Sequence, residues 1–372
     1  MGTGPPCARP FRSLLLTGKP EVKDASAPQK DVILECRNLW KVFGDAPDGF
    51  GQATRSLSKE KVIAQARENG SLPAICDVSL DVKRGEILMI MGLSGSGKST
   101  LLRCMSRLVE LSAGEVSFEG QNILTLKDRA LTELRRNSFG MVFQSFGLLG
   151  HLNARDNVAF PLRVQNVPKA ARHARADELL DLVGLTERKD NFPHELSGGQ
   201  QQRVGIARSL ISDPALWFLD EPFSALDPLI RRQMQDEFLR LQTTLGKTIV
   251  FVTHDFLEAA RLGDRIAIMR DGQLVQIGTP REIILSPADD YVRDFVSDVP
   301  TSRILHVSDL MKSGTATEDA PTVAPSDPLE LAIGHFLSGH ADLHVVGDKG
   351  DVLGVISRDD LHVLTGQGAQ ND

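Results

Sequence analysis

The string GLSGSGKST, residues 92–100, limits what this chain can fold into more than any other segment, because of what flanks it. Before it runs ILMIM (87–91), too short and too β-branched for a helix; after it, residues 101–108 place apolar side chains at helical spacing. A strand, a loop and a helix start therefore follow one another. In that context the GxxxxGKS pattern of Gly92, Gly97, Lys98 and Ser99 reads as a phosphate cradle. Glycines let successive N–H groups face one concavity, and the positive end of the following helix faces the same anion. Lys98 is expected to reach the terminal phosphates of a nucleotide, and the Ser99 hydroxyl to hold Mg²⁺.

A second segment, LWFLDEP at 216–222, is an apolar strand ending in two carboxylates. A strand with so little polar interruption belongs in the interior of a parallel sheet, and open α/β sheets bind ligands beyond the carboxyl ends of such strands. Adjacent residues point to opposite faces, so Asp220 is free to serve the metal while Glu221 orients and deprotonates water. Two further apolar strands end on polar groups: MVFQ at Gln144, placed to sense Mg²⁺ and the γ-phosphate, and TIVFVTHD at His254, placed beside the Asp220 strand. Near the start, the alternation VILECRNLWKVFG reads as a sheet-edge strand ending at Gly44. Its aromatics Trp40 and Phe43 are candidate adenine stackers, with Phe43 favoured because it lies nearer the turn. Residues 45–73 interrupt the expected hairpin. There Ser58 reads as an N-cap with a Leu57–Val62 staple, starting a helix that runs to about Asn69.

The chain's 372 residues suit a large α/β domain plus something smaller, and its net charge of −7 advertises no nucleic-acid partner. The four cysteines lie far apart with no CxxC pair, which argues against a zinc knuckle or redox couple and for reduced thiols. No apolar run approaches the ~18 residues of a membrane helix. Residues 1–30 lack periodicity and read as a disordered lead-in.

With LSGGQQQR at 196–203 between these strings, the chain resembles the ATP-binding subunits of ABC transporters over about residues 31–297. LSGGQ is the discriminating element, since P-loop kinases and GTPases carry no such string. The resemblance implies an α/β P-loop ATPase with a mixed sheet and a helical subdomain at about 145–212. It implies ATP held by Phe43, Gly92, Ser94, Gly95, Gly97, Lys98, Ser99 and Thr100, and Mg²⁺ served by Ser99, Gln144 and Asp220. Glu221 is then the general base, His254 steadies the γ-phosphate and Gln144 senses it, facing the membrane partner. Ser197, Gly198, Gly199 and Gln200 open a helix that closes on the ATP of a second copy, and Asp227 crosses the same seam. The implied partners are that second copy, transmembrane permease subunits and, through them, a periplasmic or surface solute-binding protein. The implied place is the cytoplasmic face of the bacterial inner membrane.

A narrower resemblance is to the import group for quaternary amines: glycine betaine, proline betaine, choline, and with them carnitine and trimethylamine N-oxide. It rests on KVFG with the insert beginning LSKE, on IMGLSGSGKST with MVFQSFGLL, and on FSALDPLIRRQMQDE followed by DRIAIMRDGQLVQIGTP. Methionine, metal or polyamine import remains the alternative cargo, and a soluble ABC ATPase acting on nucleic acid or ribosomes the alternative class. Beyond a linker at 298–322, residues 323–366 resemble one CBS unit where this group often carries two. There Gly354, Ser357 and Asp360 match a GxxSxxD string that holds ribose and phosphate in nucleotide-binding CBS pairs. A capped helix start explains Ser357 and Asp360 equally well, so nucleotide sensing and structural dimer contact are both open.

Overall fold

Strands without polar interruption must be covered on both faces, and that requirement sets the layers of the molecule. The computed structural model describes residues 31–45, 49–297, 299–314, 316–317, 319–347 and 350–365. The lead-in expected over residues 1–30 lies outside these. In chain order come β1 (Val32–Phe43), α1 (Phe50–Ser56), α2 (Lys59–Glu68), β2 (Leu72–Lys83), β3 (Ile87–Met91), α3 (Lys98–Met105), β4 (Ala113–Phe118), β5 (Gln121–Asn122), α4 (Asp128–Ser138) and β6 (Phe139–Val142). Three helices follow: α5 (Ala154–Val164), α6 (Lys169–Leu182) and α7 (Gly198–Leu210). The chain then returns through β7 (Leu216–Asp220), α8 (Pro228–Leu245), β8 (Thr248–Thr253), α9 (Phe256–Leu262), β9 (Arg265–Arg270), β10 (Gln273–Gly278), α10 (Pro280–Leu285) and α11 (Asp290–Ser297). A smaller set, α12 (Val307–Leu310), β11 (Thr322–Val323), α13 (Leu329–Leu337), β12 (Asp342–Val346) and β13 (Val352–Ser357), ends the described fold.

A six-stranded sheet of order β10-β9-β3-β8-β7-β6 forms the centre, parallel except for β10. Alternate residues of its inner strands feed two different cores. Met89 and Met91 of β3, Trp217 and Leu219 of β7 and Ile249 and Phe251 of β8 pack towards α8, α9 and the three-helix segment. Leu88, Ile90, Phe218, Val250 and Val252 pack the other way, against α3 and the antiparallel sheet β2-β1-β4-β5. Each such side chain, fully buried, contributes about 1.5–3 kcal/mol, which leaves the period-2 pattern no freedom to slip by one residue. Between β9 and β10, Asp271 (φ +51°) and Gly272 (φ +77°) make the tight hairpin turn.

Three sequence expectations are corrected here. β1 is not an edge strand: it pairs with both β2 and β4, its apolar positions being covered on one side by α3 and on the other by the insert. The insert folds as two helices, α1 and α2, around a small core of Trp40, Val42, Phe50, Val62, Ala66 and Cys76. Leu57 stays exposed, so the staple to Val62 does not form, and Phe50 packs edge-on to Trp40 instead. Finally, part of the stretch read as a linker is packed. Leu305, Val307 and Leu310 are buried in the small core with Phe336, Leu343 and Ile356, and the backbone of Lys312 bridges to Val355. Ile284 and Leu285 of α10 pack against that core, and Arg281 pairs with Asp309 at 3.1 Å.

Candidate functional site

Register brings the separated motifs to one edge. Met91 pairs with Thr253, Val252 with Asp220, and Leu219 with Val142. Gly92, His254, Glu221 and Gln144, each one or two residues further on, therefore leave the sheet at the same end. This is the carboxyl edge, where a parallel sheet places its ligands.

The loop from Gly92 to Gly97 is held tightly against the sheet. A Cβ on Gly92 (φ +151°) would lie 2.2 Å from the Met269 carbonyl oxygen, and one on Gly97 (φ +98°) would lie 2.5 Å from that of Ala74. No side chain fits at either place. α3 starts at Lys98, with Ser99 and Thr100 half-buried in its first turn, while Ser94 and Gly95 stand exposed at the loop tip. The Lys98 ammonium, itself buried, donates to the carbonyls of Gly92 and Leu93 at 3.0 Å each. Burial pushes its pKa down, against the pull of Glu221 and Asp220. An ammonium folded onto its own loop carbonyls is ready to be drawn out by an anion. Ser96 Oγ, also buried, is without a partner among the described residues.

Asp220 is buried, and both its oxygens are engaged. Ser99 Oγ donates to Oδ1 at 2.6 Å, and Arg103 Nη2 donates to Oδ2 at 3.1 Å. Glu221, next in line, adopts φ +45°, an uncommon region for a non-glycine residue, with its N–H donating to Val252 O at 3.0 Å. That turn brings Glu221 Oε2 to 3.3 Å from Nδ1 of the exposed His254. Arg231 of α8 ties the loop that follows, donating to the carbonyls of Phe223 (3.2 Å) and Leu226 (3.0 Å). Behind it Glu258 is buried and accepts from Gln235 at 2.8 Å.

The donor set fits Mg²⁺ together with a nucleotide. Among the described residues no cluster of three His, Cys, Asp or Glu could hold a metal alone. A hard cation that keeps several waters and takes phosphate oxygens needs no more from the protein than a hydroxyl and a carboxylate, which Ser99 and Asp220 supply.

Gln144 lies exposed just past β6. The segment after it is fixed from two sides. Arg208 of α7 forks onto the carbonyls of Gly147 (2.7 Å) and Phe146 (3.1 Å), and the buried Asn157 bonds both the N–H and the carbonyl of Leu149. At the other end of α7, Ser197 and Gln200 form a reciprocal cap, Oγ accepting from Gln200 N and the Gln200 side chain accepting from Ser197 N. Their polar atoms therefore shape the helix start, whose first N–H groups have no partner within the helix. Gly199 is buried against Ile230, whereas Gly198 is half-exposed. Asp227 caps α8, accepting from Ile230 N at 3.1 Å, and is exposed. Of the two aromatics Trp40 is buried in the insert core, while Phe43 stands on the surface opposite Leu72 with the Lys41 ammonium 4.9 Å from its ring centroid.

Arg103, Arg208 and Arg231 did not emerge from the sequence. Arg103 alone left a signal: it lies four residues after Ser99, one turn along the same helix face.

A family model described as ABC transporter matches residues 75–224. The chain is 52% identical over 326 residues to the trimethylamine N-oxide transport system ATP-binding protein TmoW of Ruegeria pomeroyi, covering 88% of this chain and 95% of that one. It is 41% identical over 340 residues to the glycine betaine/proline betaine transport system ATP-binding protein ProV of Salmonella typhimurium, covering 90% and 83%. A dimeric ATP-binding cassette solved in a post-hydrolysis state with ADP and Pi superposes with a TM-score of 0.55 at 33% identity, over 66% of this chain and 98% of that one. On these grounds the chain belongs to the ABC transporter family, as one of its ATP-binding subunits.

Proposed function

We propose that this chain hydrolyses ATP to drive import of a methylated amine through permease subunits, with trimethylamine N-oxide the first cargo to test. The observation that carries the ATPase reading is the register that delivers Gly92, Gln144, Glu221 and His254 to one sheet edge. The cargo reading is supported by the higher identity and fuller coverage of TmoW than of ProV.

In this reading Lys98 leaves the Gly92 and Leu93 carbonyls for the terminal phosphates, and Ser99 and Asp220 hold Mg²⁺. Mg²⁺ would supply positive charge against the phosphate oxygens there. Glu221, aimed by its left-handed backbone, orients the attacking water and takes its proton; His254 holds the γ-phosphate from the side, steadied by Glu221. Phe43 offers adenine the ring face that Lys41 leaves open. Ser197 to Gln200 and Asp227 complete the pocket of a second copy, so that two ATP molecules hold a head-to-tail dimer and hydrolysis releases it. Gln144 and the segment behind it face the permease, and a solute-binding protein delivers cargo from the far side.

The small C-terminal unit has a structural role in this reading. A Cβ on Gly354 would lie 2.5 Å from Lys312 O, while Asp360 accepts from both the N–H and Oγ of Ser357 (2.8 Å each) and pairs with Lys312. Each member of the GxxSxxD string is thus occupied within its own chain.

The test is Glu221→Gln, examined by size exclusion with ATP and Mg²⁺ and by phosphate release. The variant is expected to lose hydrolysis and accumulate as an ATP-dependent dimer; undiminished hydrolysis would remove Glu221 as the base. Uptake of labelled trimethylamine N-oxide against glycine betaine, in cells carrying the intact system, decides the cargo.

A further inference from the structure

We propose that Arg103 is a positioning residue for the magnesium site: it fixes the Asp220 carboxylate in the plane that presents one oxygen to Mg²⁺. The inference rests on the nucleotide reading above.

Ser99 and Arg103 are one turn apart on α3, so both reach the same carboxylate at the end of β7. They take different oxygens. Ser99 holds Oδ1 at 2.6 Å, on the side of the phosphate loop, and Arg103 holds Oδ2 at 3.1 Å. A carboxylate held at both oxygens cannot turn about its terminal torsion, which is otherwise broad and soft. Lys98, the other nearby cation, has its ammonium on the Gly92 and Leu93 carbonyls and is needed for phosphate. Arg103 is therefore the group that offsets the buried charge of Asp220 from Oδ2 alone, so that Oδ1, which now accepts from Ser99 Oγ, is the oxygen that would turn to a cation. Guanidinium suits the task, since it stays charged and donates in a fixed plane.

Two opposing effects decide what its loss does. Removing a positive charge near the site strengthens the attraction for Mg²⁺, while removing the outer bond lets the carboxylate swing. Asp220 is 3% exposed at the side chain and Arg103 is 48% exposed, so the guanidinium charge is largely screened by water whereas the geometric restraint is not. Loss of positioning wins, and Mg²⁺ binds less well.

The experiment measures affinity for a fluorescent ATP analogue in EDTA and across an Mg²⁺ titration, for the intact wild-type chain, Arg103→Ala and Arg103→Lys. Mn²⁺ bound with nucleotide, followed by electron paramagnetic resonance, gives a second readout. Arg103→Ala is expected to raise the half-saturating Mg²⁺ concentration by about tenfold, the low end for outer partners of metal ligands. Its affinity in EDTA should stay within about twofold of wild type, and Arg103→Lys should recover part of the loss. An unchanged or lower Mg²⁺ requirement in Arg103→Ala overturns the proposal, as does an equal loss of affinity in EDTA, which would make Arg103 merely a support for α3. A wild-type chain whose nucleotide affinity ignores Mg²⁺ would instead overturn the site reading on which the proposal stands.

Discussion

Gly198 and Gly199 are neighbours of identical chemistry, and the structure gives them opposite tolerances. A Cβ on Gly199 would sit 2.8 Å from Ile230 Cγ2, closer than real Cβ atoms come, and a β-branched side chain cannot swing that methyl aside without leaving its χ1 well. A Cβ on Gly198 would meet Leu226 Cδ2 at 3.5 Å and Phe146 Cζ at 3.7 Å, ordinary contact distances. Gly199→Ala is thus an overpacking change costing about 1–3 kcal/mol, which lowers the melting temperature by roughly 2–8 °C. Gly198→Ala exchanges glycine for a better helix former near a helix start, an effect below about 1 kcal/mol, and should leave the melting temperature within about 2 °C. Its new methyl intrudes only on whatever approaches α7 from outside. If that is the ATP of a second copy, hydrolysis should fall by more than about tenfold in a fully folded protein.

The assay pairs thermal unfolding with phosphate release on Gly198→Ala, Gly199→Ala and Gly199→Ala/Ile230→Ala, with Ile230→Ala as reference. In the Ile230→Ala background the cost of Gly199→Ala should nearly vanish, because the clashing methyl is gone. A Gly199→Ala protein that melts like wild type, or a cost that persists without Ile230, would refute the packing argument. A Gly198→Ala protein with full hydrolysis would refute the shared pocket.

Glu258 gives a pH-dependent test: burial pushes its carboxyl above the usual range, although hydrogen bonds from Thr253 and Gln235 pull it back. A carboxyl raised in the fold costs nothing where both folded and unfolded forms are protonated, and costs more as pH climbs through the folded value. Glu258→Gln should therefore raise the melting temperature by about 1–3 °C near pH 8, a gain that shrinks as pH falls into the ordinary glutamate range; a pH-independent gain would contradict this. Ending the chain at Ser297 uncovers Ile284 and Leu285 and leaves Arg281 without Asp309. Basal hydrolysis should survive while the melting temperature drops by about 2–4 °C, and lost hydrolysis would place the small unit inside the catalytic fold.

The strands that carry the site were legible because burial on both faces writes itself as unbroken apolar runs: ILMIM, LWFLD and TIVFVT became β3, β7 and β8 within a residue. The Asp-Gly pair at 271–272 carries a local signal of a different kind, since a tight hairpin turn needs positive φ. Pairings between distant segments were not legible. Nothing in VILECRNLWKVFG says that β4 takes its second edge, because alternation reports one covered face and is silent about hydrogen-bonded neighbours. The 298–322 stretch misled because its polar residues 313–321 masked Leu305, Val307 and Leu310, which are too sparse to show a period. Arg208 and Arg231 were invisible because they bond backbone carbonyls, and a carbonyl leaves no letter in the sequence.

The fork of Arg208 turns two elements into one lever. Its planar guanidinium grips successive carbonyls at 146 and 147, so neither can slide along α7 unless both bonds break together. In the reading proposed above, a pull on residues 146–147 would reach the glycine end of α7 without slack. Gln144 and Ser145, exposed and just upstream of the grip, are where such a lever would turn if Gln144 senses the γ-phosphate as proposed.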